Sequence, residues 1–315
     1  ATSTCSSARC ASGSVAGPVR RHAVAAAGRT LALGERPWLM GIVNASPDSF
    51  SDAGAYPDLD TRVRRARELL AAGADIIDIG GESGITRRPA VAVAEELERV
   101  VPLVERVAGE LGAVVSVDTY KPAVAEAAIA AGAAIVNDVS GLRDPELAAV
   151  CARTGAALVL MHTRAAPKQR LQDPDLYDDV VADVVRFLGE RMEVARAHGV
   201  RDEQLILDPG PDFSKTPAQT IALLRRLEEL HALGRPLLLA VSRKDFVGAL
   251  TGRGPRERLA GTLGALGHGV DAGAHVLRVH DVAEAADFLA VRAALRGELE
   301  VDPALALDDA IRHAR

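Results

Sequence analysis

From residue 39 to residue 297, short apolar runs alternate with longer stretches of 3.6-residue periodicity. The short runs, read as strands, cover 39–44, 75–80, 114–118, 134–138, 156–161, 204–208, 236–241 and 275–279. The periodic stretches, read as helices, cover 60–72, 94–111, 121–131, 145–154, 180–198, 217–230, 256–271 and 281–296. VVSVD, AALVLM, LILD and LLLAV are apolar without alternation, as strands covered on both faces should be. Gly-Ala pairs at 73–74, 132–133, 155–156 and 273–274 fall where a helix should stop and the next strand begin, with glycine as the left-handed cap. Eight strands and eight helices in about 260 residues predict one α/β domain, a (β/α)8 TIM barrel. A doubly wound sheet would want a G-x-G-x-x-G after the first strand, and none follows it.

The flanks read differently. Residues 1–28 are rich in Ser, Ala and Arg, and no acidic residue precedes Glu35. They lack the apolar core of a secretory signal and are expected to form a disordered extension. Residues 29–297 would form the barrel domain and 298–315 a short final helix and tail.

Composition narrows the class. Lys+Arg number 37 against 43 Asp+Glu, a net charge of −6, so the basic excess of a nucleic-acid binder is missing and no nucleic-acid partner is expected. No apolar run reaches the roughly 18 residues of a membrane span, so no membrane partner is expected either. Aromatics at 3% argue against a surface built on stacking platforms. Of three cysteines, Cys5 and Cys10 lie in the extension, which excludes a disulfide scaffold and points to a reducing cytoplasm. No His/Cys cluster has zinc spacing.

A barrel of this kind carries its chemistry at the C-terminal ends of its strands. Those ends hold Asn44, Asp118, Asn137-Asp138, Met161-His162, Asp208, Ser242-Arg243-Lys244, and Arg278 with His280. One polar strand end is commonly a cap for the next helix, but so many converging on one mouth suggest a ligand. Asp118, Asn137 and Asp208 suit a flat heterocycle with several N–H donors. Lys244, Arg278 and His280 suit a phosphate or diphosphate. Blander readings stand beside these. Asp118 could cap the helix near 121, and Asn137 and Asp138 could form a turn. Glu82 could orient a neighbour or be a buried structural carboxylate. His162, His198, His231 and His268 read as structural or solvated, and Cys151 as core packing.

Eight stretches, in order over about residues 30–297, resemble the dihydropteroate synthases of folate biosynthesis. They are MGIVNASPDSFSDAG (40–54), GGES (80–83), SVDTYKP (116–122), NDVSG (137–141), LMH (160–162), DPGPDFSK (208–215), SRKDFVGALTGR (242–253) and LRVHDV (277–282). The resemblance implies condensation of 6-hydroxymethyl-7,8-dihydropterin diphosphate with 4-aminobenzoate, giving 7,8-dihydropteroate and diphosphate. It implies a Mg²⁺ cofactor on the diphosphate, organised by Asn44 and Asp52. A pterin pocket would comprise Asp118, Asn137, Met161, Asp208 and Lys244, with Arg278 and His280 on the diphosphate. Phe213 and Ser242 would line the aminobenzoate side, and Thr86 and Arg87 would be the family's Thr-Arg pair. Asp118, Lys244 and Asp52 would carry the catalytic burden, and the loop from Asn44 to Gly54 would close over the site. Sulfonamides would occupy the aminobenzoate site, and a homodimer is implied.

Three departures from the family pattern stand out. GESGITRRPA is about two residues longer than GES-T-R-P-G, so Arg88 competes with Arg87 for the Thr-Arg-Pro position. In DPGPDFSK, Asp212 replaces a Gly of DPG-x-G-F-G-K, and Asp tolerates positive φ better than most residues. MHTRAAPK stands where M-H-M-R-G is usual. Two other readings remain open: a pterin-binding paralogue without turnover, and a pterin-dependent methyltransferase domain sharing the barrel.

Overall fold

The computed structural model describes residues 20–45, 58–82 and 89–312. Two strands, β1 (His22–Ala26) and β2 (Arg29–Leu33), precede the eight strands of the barrel. Those are β3 (Trp38–Asn44), β4 (Ile76–Gly80), β5 (Val114–Asp118), β6 (Ile135–Asp138), β7 (Ala157–Met161), β8 (Leu205–Asp208), β9 (Leu238–Leu239) and β10 (Val276–Val279). All eight are parallel in the order β8-β7-β6-β5-β4-β3-β10-β9, and a parallel bridge from Leu207 to Leu237 joins the two ends. The predicted barrel is the observed one.

Helices α1 (Leu59–Ala71), α2 (Val93–Leu111), α3 (Pro122–Ala130), α4 (Glu146–Thr154), α5 (Val180–Ala197), α6 (Pro217–Arg225), α7 (Asp245–Thr251), α8 (Leu259–Asp271) and α9 (Val282–Leu295) surround it. Local chemistry sets their ends. Asp58 accepts from Thr61 N to open α1, Asp179 accepts from Val181 N and Ala182 N to open α5, and Thr216 and Gln219 form a capping box on α6. The four predicted Gly-Ala junctions all place glycine at positive φ. The stretch read as one helix over 217–230 is two elements, since Leu227–Leu233 winds as a tighter 3₁₀ segment after α6. The seven-residue α7 was not expected from periodicity, being two turns long. A single further turn, Asp309–Arg312, lies in the C-terminal segment.

Side-chain alternation divides the barrel strands between two cores. Leu39, Ile77, Ile79, Val115, Val117, Leu158, Leu160, Leu207 and Leu277 face outward and pack with the helices. Met40, Ile76, Ile135, Ala157, Val159, Ile206, Leu238 and Val276 face inward and fill the barrel. Val24, Ala26, Leu31 and Leu33 of the hairpin belong to the inner cluster and are buried with it. The hairpin therefore closes the floor of the barrel.

This corrects the expectation of disorder up to residue 28. His22–Ala26 pairs with Arg29–Leu33 through the two-residue turn Ala27-Gly28, whose φ values are 47° and 79°. Two positive φ angles match the twist of a tight hairpin, and Gly28 accepts one without strain. Ala27 N donates to the Gly155 carbonyl at 2.7 Å, tying the turn to the end of α4.

Candidate active site

The inward parity that fills the barrel with apolar side chains continues, at the C-terminal ends, with polar ones. Asn44, Asp78, Asp118, Asn137, Met161, Asp208 and Arg278 occupy inward positions; Ser242 follows two residues after the inward Ala240, just past β9, and His280 two after Arg278 of β10. The sheet register sets Asp118 beside Asn137 and Met161 beside Asp208.

Arg278 stands between two carboxylates. Its Nε donates to Asp78 Oδ2 at 2.6 Å and its Nη2 to Asp118 Oδ2 at 2.7 Å. Asn137 Nδ2 donates to Asp78 Oδ2 at 3.3 Å, and Asp78 is wholly buried. Burial pushes the Asp118 carboxyl up, with Arg278 opposing and Asp78 adding to the rise. For Arg278 burial works against the charge, yet the two carboxylates outweigh it and raise its pKa. Asp118 thus turns to Arg278, and α3 opens at Lys121 without any side-chain cap. Its capping reading is overturned. The Asn137-Asp138 pair divides: Asn137 faces inward, while Asp138 accepts from Ser140 N and Leu142 N behind the strand.

Across the mouth, Lys244 Nζ stands 4.2 Å from the centroid of the Phe213 ring, a cation–π contact. Burial lowers the Lys244 pKa, and Asp212 and Asp208 oppose it. Burial raises Asp208, against the Gly210 N–H that donates to its Oδ1 at 2.7 Å. Ser242 Oγ lies 2.9 Å from His280 Nδ1 and accepts from the His280 N–H at 3.2 Å. The hydroxyl can donate to Nδ1 or accept from it, according to the tautomer of the ring. Burial first, then Arg278 and Arg243, push His280 down to about 3. The positive φ of Arg243, 58°, turns its side chain away to Asp281, while Ser242 and Lys244 on either side serve the mouth.

Asp52, Thr86, Arg87, Arg88 and residues 46–54 of the expected closing loop lie outside the described residues. The others named from sequence converge, Met161 among them as a buried apolar wall beside Asp208. Sequence reasoning missed Asp78, although a lone carboxylate in the apolar run Ile76–Gly80 was a signal for it. Glu82 is a hub: it accepts from Lys121 Nζ at 2.9 Å, Tyr120 OH at 3.1 Å and Val91 N at 2.8 Å, and pairs with Lys168 at 3.0 Å. Lys121 also reaches the buried Glu96, which accepts from Thr119 Oγ1 at 2.7 Å. These ties link the chain that follows β4 and β5. His198, His231 and His268 bond backbone carbonyls of their surroundings, consistent with structural roles. Cys151 is core.

The class this geometry defines is a barrel enzyme whose mouth joins buried carboxylates and an amide to a cluster of cations. The sequence pattern described as pterin binding enzyme matches residues 40–280. The dihydropteroate synthase of Synechocystis is 42% identical over 83% of this chain and 91% of its own, and that of Bacillus subtilis is 43% identical over 80% and 86%. Among solved structures, Xanthomonas albilineans dihydropteroate synthase with 4-aminobenzoic acid matches with a TM-score of 0.79 at 43% identity, covering 87% of this chain and 98% of that one. Yersinia pestis dihydropteroate synthase with a sulfonamide drug matches with a TM-score of 0.82 at 41% identity, covering 88% and 100%. The chain belongs to the dihydropteroate synthase family of pterin binding enzymes.

Proposed function

We propose that the barrel mouth joins 6-hydroxymethyl-7,8-dihydropterin diphosphate to 4-aminobenzoate, releasing diphosphate and 7,8-dihydropteroate. The observation that carries this reading is the Asp78–Arg278–Asp118 cluster, flanked by Asn137 on one side and by Asp208 with Lys244 on the other. Asn137 and Asp208 offer an amide and a carboxylate to the ring edge, and Lys244 offers a cation above the Phe213 face. In the reaction the methylene C–O bond breaks and its electron pair leaves with the diphosphate. The arylamine nitrogen forms the new C–N bond and afterwards loses a proton. Asp118 would stabilise cationic character at the methylene, while Arg278 and the His280 ring would meet the departing anion. Phe213 and Ser242 would border the aminobenzoate. No covalent enzyme intermediate is needed.

Among the described residues no three His, Cys, Asp or Glu side chains converge as a metal cage. The amide oxygen of Asn44 is a hard donor of the kind that suits Mg²⁺ shared with substrate phosphates. Asn44 at the mouth, with Asp52 as the family's second ligand, would hold it, and its charge would ease departure of the diphosphate.

We place the working protein in the cytoplasm as a homodimer. Among the described residues no helix is long and apolar enough to cross a membrane. Ile221, Leu224, Phe246, Val247 and Ala265 line an apolar groove between α6, α7 and α8, and Leu250 on its rim is 68% exposed. A second copy packing there would cover it.

The deciding experiment follows dihydropteroate and diphosphate together, with and without Mg²⁺, from dihydropterin diphosphate and 4-aminobenzoate. Equal, Mg²⁺-dependent formation of both is expected. Tight pterin binding without product would replace this reading with the paralogue that lacks turnover.

A further inference from the structure

Lys215 is wholly buried under the loop that carries Asp208 and Phe213. Its Nζ has three partners: His162 Nδ1 at 2.7 Å, the Gly210 carbonyl at 2.9 Å and the Phe213 carbonyl at 3.1 Å. The loop between those anchors is strained. Gly210, Asp212 and Ser214 have φ of 65°, 64° and 53°, and two of the three carry a side chain. The loop also lies directly on the chain that leaves β7: a Cβ on Gly210 would sit 2.1 Å from the His162 carbonyl.

The tautomer of His162 settles the charge of Lys215. Asp183 Oδ1 lies 3.2 Å from His162 Nε2, and Asp183 also accepts from Arg164 Nε at 3.0 Å and Arg186 Nη2 at 2.6 Å. Burial opposes the charge of Asp183, yet His162 and Arg164 hold its carboxyl well below the usual range, so it is an anion. An anion facing Nε2 requires the ring proton there, which leaves Nδ1 as a lone pair. The two carbonyls are acceptors as well. Lys215 therefore faces three acceptors and must donate three times, which an ammonium does and a neutral amine cannot.

We propose that Lys215 is a positioning residue for the pterin ring: its charge, enforced by Asp183 through His162, holds the 208–215 loop in the shape that presents Asp208 and Phe213 to the substrate. The proposal rests on the pterin reading above. The titratable groups around Lys215 are Asp208 at the end of β8, His162 after β7, Asp183 on α5, Asp212 in the same loop and Lys244 ahead of α7. Burial drives Lys215 down to about 7, Lys244 pushes the same way, and the three carboxylates oppose. Burial and Lys215 push His162 down to about 4, so it is neutral where Lys215 titrates. The loop-holding ammonium is present below the Lys215 pKa and lost as pH rises through it.

The test is equilibrium binding of dihydropterin diphosphate by calorimetry from about pH 6 to about pH 9, with turnover measured in parallel. Wild-type protein should bind more weakly on the alkaline side, with a break near neutrality. Lys215→Met should bind at least about tenfold more weakly at low pH and lose that break. The Asp183 side chain on α5 is 13% exposed, and Asp183→Asn keeps its volume. Its amide can donate to Nε2 and move the ring proton to Nδ1, so the break should shift to lower pH. If Lys215→Met does not fold, the Asp183→Asn shift decides alone. An unmoved break in Asp183→Asn, or no pterin binding by wild-type protein, overturns the proposal. Normal turnover with an unmoved break leaves the synthase reading intact. Binding with a shifted break but no product sinks that reading and leaves this one standing.

Discussion

Asp78 and Arg278 are 200 residues apart in the chain and 2.6 Å apart in the fold. The pair explains why a barrel interior tolerates a wholly buried carboxylate: one oxygen takes the guanidinium, and the Asn137 amide approaches both. It also fixes the plane of Arg278, so that Nη2 reaches Asp118. Asp78→Asn keeps the volume and removes the charge. Removing one partner of a buried pair typically costs about 3–5 kcal/mol, and Asp118 remains on Arg278, so a loss of about 2–3 kcal/mol is expected. Urea unfolding measures this. Activity should fall at least about tenfold, because Arg278 loses its orienting partner. A variant of unchanged stability and rate would show that Asp118 alone holds the guanidinium.

The role proposed for Asp118 sets an acid limit on the reaction. Burial and the nearby Asp78 raise its carboxyl above the ordinary 3.8, with Arg278 opposing. Below that raised value the site holds a neutral acid and cannot stabilise a cationic methylene. kcat/KM should therefore rise with pH through a value above 3.8, ahead of the alkaline fall expected from Lys215. In Asp118→Asn the rate should drop about 10²-fold or more and that limb should vanish. Folding runs the opposite way: the protonated form is favoured in the folded state, so stability from this group is present below 3.8 and lost as pH rises through the folded value. The measurement is the pH profile of kcat/KM for both proteins. A limb that persists in the Asn variant belongs to another group.

The floor of the barrel makes a separate demand. Leu33 is 1% exposed and packs into the inner cluster with Met40 and Leu238. Leu33→Ala would leave a cavity in a closed barrel that cannot collapse around it, at a cost of about 2–5 kcal/mol. Denaturant unfolding should show the loss, while KM values stay within about twofold because the hairpin sits at the end opposite the mouth. A neutral change would mean the hairpin does not seal the floor.

The barrel was legible because burial on both faces writes apolar runs, and parity then places Asp118, Asn137, Asp208 and Arg278 inward without any tertiary knowledge. The hairpin was not. HAVAA and RTLAL are five-residue strands of mostly small side chains, and their apolar partners sit inside a barrel built from later sequence. Asp78 and Lys215 were missed for a related reason. Asp78 showed only as a lone carboxylate in an apolar run, and the partners that give both residues their meaning lie 200 and 53 residues away. Seven-residue α7 is too short to show a period, yet it begins beside Lys244 and matters to the site.

Asp212 is one of the three departures expected from the sequence, and the structure gives it a function. Its φ of 64° is one that glycine adopts freely and aspartate tolerates. In exchange for that strain the side chain makes a clamp. Thr220 Oγ1 of α6 donates to Oδ1 at 3.0 Å and the Phe246 N–H, in the first turn of α7, donates to Oδ2 at 3.2 Å. A carboxylate at that end also suits the helix dipole. Asp212→Gly relieves the strain and loses the clamp; Asp212→Ala keeps the strain and loses the clamp as well. Hydrogen bonds to a charged group contribute about 1.5–3 kcal/mol and a left-handed alanine costs about 1 kcal/mol. The expected order of stability is Asp, then Asn, then Gly, with Ala lowest by about 2–4 kcal/mol. Losing the Asp212 charge should also lower Lys244 further, since Asp212 is the first of the groups opposing its burial. Urea unfolding of the four proteins checks the order. A glycine variant as stable as the wild type would show that relief of strain offsets everything the clamp contributes.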